Sequence, residues 1–261
     1  MNLFERMQSY EVASSPVLLH RLPIIVRSNI RNYFRLIRKL SRPYDSEMMR
    51  ILQETMFLTV KDLEGAVFSY QQHGEISFIL RQLDEDSNSP YSGDIQEISS
   101  IVSSLITSNF LKQYMASDDP PDLVGEGIFR TRVFNTPSIS EAANYLLGQQ
   151  FQCQKSSVSI IAEDEFSKMP NITNLDFLNR RSFDEKKLLL ETECNISFDE
   201  DYKNFFKYGS CAYKTTRVFN NVQKKKWSLD TTAPDFSNRD FLLTILKTGQ
   251  DIFRPERDIQ E

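Results

Sequence analysis

The period of the apolar positions changes several times along the chain, and each change marks an expected element. Leu22 to Arg27 (LPIIVR) is a short run rich in β-branched residues with Pro23 near its start, which predicts a first strand. A basic helix is expected next, from about Arg31 to Leu40. Met48, Met49, Leu52, Met56, Val60 and Leu63 then recur at three- and four-residue spacing, which predicts an amphipathic helix covering a sheet and makes the methionine stripe core. Ala66 to Gln72 and Glu75 to Arg81 read as strands, joined by His73-Gly74 in a tight hairpin turn. A polar, turn-rich stretch at 84–94 precedes a second long helix, Ile95 to Tyr114. Beyond another loop at 117–127, Ile128 to Thr136 predicts a fourth strand, and Ser138 with Glu141 makes a capping box that opens a helix toward Gln152.

The order β-α-β-β-α-β is the ferredoxin-like arrangement on which polymerase palms and nucleotide cyclases are built, so the expected class is α+β. Fold alone does not fix function. The remainder predicts a helix near Glu185 to Glu193, strands around Gly209 to Phe219 and Lys226 to Asp230, and a last helix near Phe236 to Leu246. The expected organisation is a palm-like domain over 1–160 with a C-terminal α+β lobe over 161–261 packed on it.

Composition narrows the function classes. With 261 residues and 40% hydrophobic content the chain can bury one large core. It has no apolar run near the roughly 20 residues of a membrane span and no signal-like N-terminus, so no membrane association and a cytoplasmic location are expected. Cys153, Cys194 and Cys211 form no C-x-x-C pair and have two histidines for company, which argues for free thiols over a zinc site or disulfides. A net charge of −5 speaks against a broad grip on nucleic acid. Yet Arg21, Arg27, Arg31, Arg35, Arg38, Lys39 and Arg42 fall in a stretch without one acid. Such local charge suits a compact anion, such as a nucleotide's phosphates; a solvated helix face is the alternative. Lys224-Lys225-Lys226-Trp227 reads equally as an RNA contact or as a basic turn beside a buried tryptophan, and Glu163, Asp164 and Glu165 as a solvated acidic helix end.

In this topology the first and third strands lie side by side and antiparallel, so residues 28–32 are expected to meet residues 72–75. Palm enzymes place two carboxylates there to hold two divalent cations that bridge a triphosphate. Here the clusters are Ser28-Asn29-Ile30-Arg31-Asn32 and Gln72-His73-Gly74-Glu75, and Glu75 is the one carboxylate. His73, with no nucleophile or orienting acid in view, reads as a turn residue rather than a general acid or base.

These residues carry a family resemblance. VRSNIRNYFRLIRKLSRPYD (Val26 to Asp45) resembles the opening motif of tRNA-histidine guanylyltransferases, roughly V-R-x-D-G-R-x-F followed by a basic stretch and R-P-F-D, and SYQQHGEISFIL (Ser69 to Leu80) resembles their Y-x-Q-S-D-E-x-S-F motif. Further similar strings follow in order: ISSIVSSLITSNF (Ile98 to Phe110), FRTRVFNTP (Phe129 to Pro137), NYLLGQQ with SSVSIIA (Asn144 to Ala162) and FFKYGSCAYK (Phe205 to Lys214).

The departures from the motifs concentrate at polar positions. Asn29 and Ile30 stand where the family has its first metal-binding Asp and a glycine, Gly74 stands at the second metal-binding Asp, and Arg130 stands where F-D-A-R has an acid. Losing charged ligands at both sites removes the electrostatic basis of two-metal chemistry, and Ile30 puts a branched side chain where glycine lets phosphate approach the backbone. The resemblance therefore implies a catalytically degenerate relative that binds a nucleotide or nucleotide-derived anion, with no catalytic residue assigned. The candidate phosphate-binding residues are Arg27, Asn29, Arg31, Asn32, Lys39, Arg42 and Asp45. Arg27 as a structural ion-pair partner and Asp45 as a helix cap are the competing roles. No cofactor is expected. Magnesium, with Glu75 as a ligand, belongs to the alternative of an active tRNA-His guanylyltransferase adding a nucleotide to tRNA in the 3′-to-5′ direction, and a non-catalytic subunit of an active homologue is a further alternative. The expected partners are a nucleotide-type small molecule and, by resemblance, other copies of the chain in a dimer or tetramer; tRNA is disfavoured by the net acidity.

Overall fold

A computed structural model describes residues 2–82, 88–117, 127–172, 174–219 and 222–250. Along the chain the elements are α1 (Leu3–Ala13), β1 (Ile24–Ile30), α2 (Tyr33–Ile37), α3 (Ser46–Asp62), β2 (Ala66–Gln72), β3 (Glu75–Leu80), α4 (Ile95–Met115) and β4 (Phe129–Asn135). There follow α5 (Ile139–Ser167), α6 (Asp176–Asn179), α7 (Phe183–Cys194), α8 (Asn204–Tyr208), β5 (Ser210–Phe219), β6 (Val222–Asp230) and α9 (Arg239–Thr248). The strands form one antiparallel-paired sheet in the order β4-β1-β3-β2-β5-β6. Its first four strands have the ferredoxin-like order, as the sequence predicts.

Both faces of the sheet are covered, which explains why β1 and β2 carry apolar residues on both sides. Ile24, Val26 and Ile30 pack with α3 and α4, while Ile25, Phe68, Tyr70 and Ile79 pack with α5 and α9. Every member of the expected stripe Met48, Met49, Leu52, Met56, Val60 and Leu63 is buried, all but Met49 in the cluster on the first of these faces. Each such side chain stabilises the fold by about 1.5–3 kcal/mol relative to leaving it exposed. A smaller apolar cluster joins the second half of α5 to α7 and α8, with Val158, Ile161, Leu190 and Phe206 at its centre. Residue 160 lies inside α5, so one continuous helix serves both the sheet and this cluster, while β5 and β6 extend the sheet itself.

Several boundaries differ from the expected ones. The first strand is shifted and extends to Ile30, because β3 and β4 hold it from both sides: Asn29 lies opposite Glu75 and Arg130, and Ile30 opposite Phe129. The basic helix expected from Arg31 to Leu40 shrinks to Tyr33–Ile37, because Arg31 still donates its backbone N–H to Ile128 O at 2.7 Å and Asn32 is left-handed at φ 58°. The helix expected to reach Gln152 runs to Ser167, since no breaker follows and Gly148 is tolerated within it. Asp164 is buried and paired with Lys168 at 2.8 Å, so the acidic cluster is not wholly solvated. Lys224 to Lys226 lie within β6 rather than in a turn. Cys153, Cys194 and Cys211 form no disulfide, and the first and last of them are buried. Among the described residues, no helix is long and apolar enough to cross a membrane.

Candidate functional site

The end of β1 meets the β2–β3 hairpin as the topology requires: Ile30 N–H donates to Gly74 O at 2.9 Å. Arg27 and Asn29 point to the α5 side of the sheet, away from Val26, Ser28 and Ile30. There Arg27 Nη2 donates to Glu75 Oε2 at 2.5 Å, and the pairing raises the Arg27 pKa above its ordinary value. The Glu75 side chain keeps 14% of its exposure and that of Arg27 39%. The carboxylate most suited to a hard cation is thus held by a guanidinium. Arg27 Nε, Glu75 Oε1 and Gln72 Oε1 are buried without a hydrogen-bond partner among the described residues. Three such atoms together are unusual, since each costs about 1–3 kcal/mol, and they mark a site at which a ligand would be satisfied. Gln72 Nε2 donates to Gln149 Oε1 at 2.5 Å and Tyr145 shares a hydrogen bond with Ser77 at 2.8 Å, which fastens α5 over the hairpin.

Gly74 is glycine for a visible reason. A Cβ added there would lie 2.2 Å from Tyr33 Cδ2, because the tyrosine ring rests flat on the turn. Burial pushes the Tyr33 hydroxyl well above its usual range. Its neighbour His73 takes φ 45°, and the imidazole is packed under α5, with Nε2 3.3 Å from Ser157 Oγ and 3.5 Å from Cys153 O, edge-on to Phe206. Burial pushes its pKa down to about 4, against an opposing pull from the Cys153 carbonyl. With the folded pKa below the unfolded one, the unfolded chain takes up a proton first as pH falls. The stability contributed by neutral His73 is therefore complete above about pH 6.5 and is lost between there and pH 4. The expected loss is on the order of 2 kcal/mol, allowing for solvent at the ring edge. His73→Asn, which tolerates the same positive φ, is expected to flatten that part of the stability profile in urea unfolding; an unchanged profile would refute the assignment.

A cavity of about 1110 Å³ opens between the hairpin, the 38–45 segment, α5 and the start of α7. Of the residues expected at a phosphate site, Arg27, Asn29, Asn32, Arg42 and Asp45 line it, whereas Arg31 and Lys39 are exposed and do not. Glu75 lines it as well. Asp45 N-caps α3, accepting from Met48 N at 2.8 Å. Ile30, which stands where the family motif has its glycine, is 2% exposed and packs in the core on the α3 side while also lining the cavity. Arg38, Arg130, Lys155, Arg181 and Lys186 also line the cavity, and the sequence did not mark them as binding residues. Arg38, Arg42 and Arg130 have no ion-pair or hydrogen-bond partner among the described residues. On a protein of net charge −5 they form a local concentration of uncommitted positive charge. The stacked rings of Tyr44 and Phe206, 4.7 Å apart, close one side.

The profile of the tRNAHis guanylyltransferases (Thg1) matches residues 4–137, more than half of the chain. The chain belongs to that family. No curated protein matches it. Among solved structures, a bacterial tRNAHis guanylyltransferase (Thg1)-like protein in complex with ATP is 24% identical, with a TM-score of 0.78 over 94% of this chain and 99% of the other. A bacterial Thg1-like protein in complex with GTP is 23% identical, with a TM-score of 0.76 over 94% and 98% of the two chains. The Saccharomyces cerevisiae tRNAHis guanylyltransferase is 17% identical, with a TM-score of 0.69 over 85% and 95%. At these identities the likeness concerns the fold.

Membership of the guanylyltransferase family implies magnesium held by a pair of carboxylates at this strand end, and the residues present do not supply that pair. Asn29 is neutral, Gly74 has no side chain and its space is taken by the Tyr33 ring, Glu75 is bonded to Arg27, and Arg130 lies opposite Asn29 across β4. Cations occupy the positions around which a second cation would have to be held, which is the wrong electrostatic sign.

Proposed function

We propose that this member of the tRNAHis guanylyltransferase family binds a nucleotide in the cavity through direct guanidinium–phosphate contacts and does not carry out two-metal nucleotidyl transfer. The observation that carries this reading is the inverted charge at the strand end. The carboxylate at the strand end, Glu75, is neutralised by Arg27 at 2.5 Å, and Arg38, Arg42 and Arg130 stand uncommitted around the same space. Each guanidinium offers a planar fork of donors to a phosphate, and such charge-assisted contacts are the strong ones. Two relatives of the same fold are known with ATP and GTP bound, which supports a nucleotide as the ligand. The polar atoms left unmet on Gln72, Glu75 and Arg27 offer two acceptors and one donor to the rest of the molecule.

Incubation of the purified protein with tRNA, magnesium and GTP labelled on its α-phosphate tests the degenerate part of this reading. No label is expected in the tRNA, and label incorporated at a 5′ end would overturn it in favour of an active guanylyltransferase.

A further inference from the structure

The cavity has a second cationic wall that the nucleotide reading leaves unused. On α5, Gln152, Lys155, Ser159 and Glu163 recur at three- and four-residue spacing and so share one face, with Ser156 beside them. Across from them the first turn of α7 brings in Lys186, whose Nζ donates to Ser159 Oγ at 2.7 Å. Lys155 lies one helical turn before Ser159, whose hydroxyl also donates to the Lys155 carbonyl at 2.9 Å, and Lys155 and Lys186 both line the cavity. Neither is neutralised: Lys186 is bonded to an uncharged oxygen, and Lys155 rests over the Phe151 ring at 4.3 Å. The acids beside them are Glu163, on the same face, and Glu185, which is paired with Arg181 at 3.1 Å.

We propose that Lys155, Ser159 and Lys186 form a second phosphate subsite, so that the cavity takes a dinucleotide, one phosphate on the arginine wall and the other on this helical wall. The proposal rests on the nucleotide reading given above and specifies its ligand. Size points the same way, since pockets for a single drug-sized ligand enclose about 300–1,000 Å³. The cavity of about 1110 Å³ exceeds that range. The net charge of −5 and the confinement of both cation groups to one cavity disfavour a longer nucleic acid, whose binding draws on a run of phosphate contacts.

Calorimetric titration with GMP and with the dinucleotide pGpG, in EDTA, tests it. The dinucleotide is expected to bind about tenfold tighter or more than GMP, the worth of one additional charge-assisted contact. Lys155→Ala/Lys186→Ala is expected to bring the two affinities within about threefold of each other. Lys186→Gln, which keeps a donor to Ser159 without the charge, serves the same purpose should the double variant fail to fold. Equal affinities for the two ligands in the wild-type protein, a preference that survives either variant, or tighter binding of a long single-stranded RNA would each overturn this inference alone. Absence of binding by GMP, GTP and pGpG alike would overturn the nucleotide reading and this inference with it.

Discussion

Replacing Arg38, Arg42 and Arg130 together by alanine is expected to weaken GTP binding by at least about 100-fold, since hydrogen bonds to charged groups are each worth about 1.5–3 kcal/mol and neighbouring losses do not add fully. All three side chains are exposed and without partners among the described residues, so their removal leaves no buried group orphaned. The melting temperature of the triple variant should therefore stay near that of the parent, as surface substitutions usually shift stability by no more than about 0.5 kcal/mol each. This separation of affinity from stability distinguishes a binding role from a structural one. The outcome that would sink the assignment is an affinity within about threefold of the parent at unchanged stability.

Restoring the acid of the family motif in the turn is expected to damage the protein. Gly74→Asp places Cβ 2.2 Å from Tyr33 Cδ2 and 2.5 Å from Cε2, inside any possible contact distance. The ring must leave its seat or the hairpin must shift. Overpacking of this kind costs about 1–3 kcal/mol, and a loss of that size is expected in urea unfolding. In combination with Tyr33→Ala the two losses should be markedly less than additive, because removal of the ring vacates the space the aspartate needs. A Gly74→Asp variant as stable as the parent would show that Tyr33 is not what excludes an acid from this turn.

Much of the scaffold was legible because it obeys simple periods. The α3 stripe, the His73-Gly74 hairpin and the strand at Phe129–Asn135 each follow from local pattern, and the meeting of Asn29 with Glu75 follows from the strand order alone. The absence of an acid between Arg21 and Tyr44 is likewise a property of the sequence. What local pattern does not carry is long-range contact. Nothing near Arg27 announces its bond to Glu75, which is 48 positions away, and nothing near Gly74 announces the Tyr33 ring. Arg31 and Arg38 look alike in a basic string, yet the left-handed turn at Asn32 sends one away from the cavity and leaves the other lining it. Lys186 belongs to a segment the motifs do not mark, and it reaches Ser159 because α7 folds back on the long α5.

The central claim is that arginines, and not metal ions, hold the phosphates. Titration of the purified protein with GTP by calorimetry, once with magnesium and once with EDTA, tests it most directly. The account predicts the same affinity in both, and binding that appears with magnesium and vanishes with EDTA would contradict it.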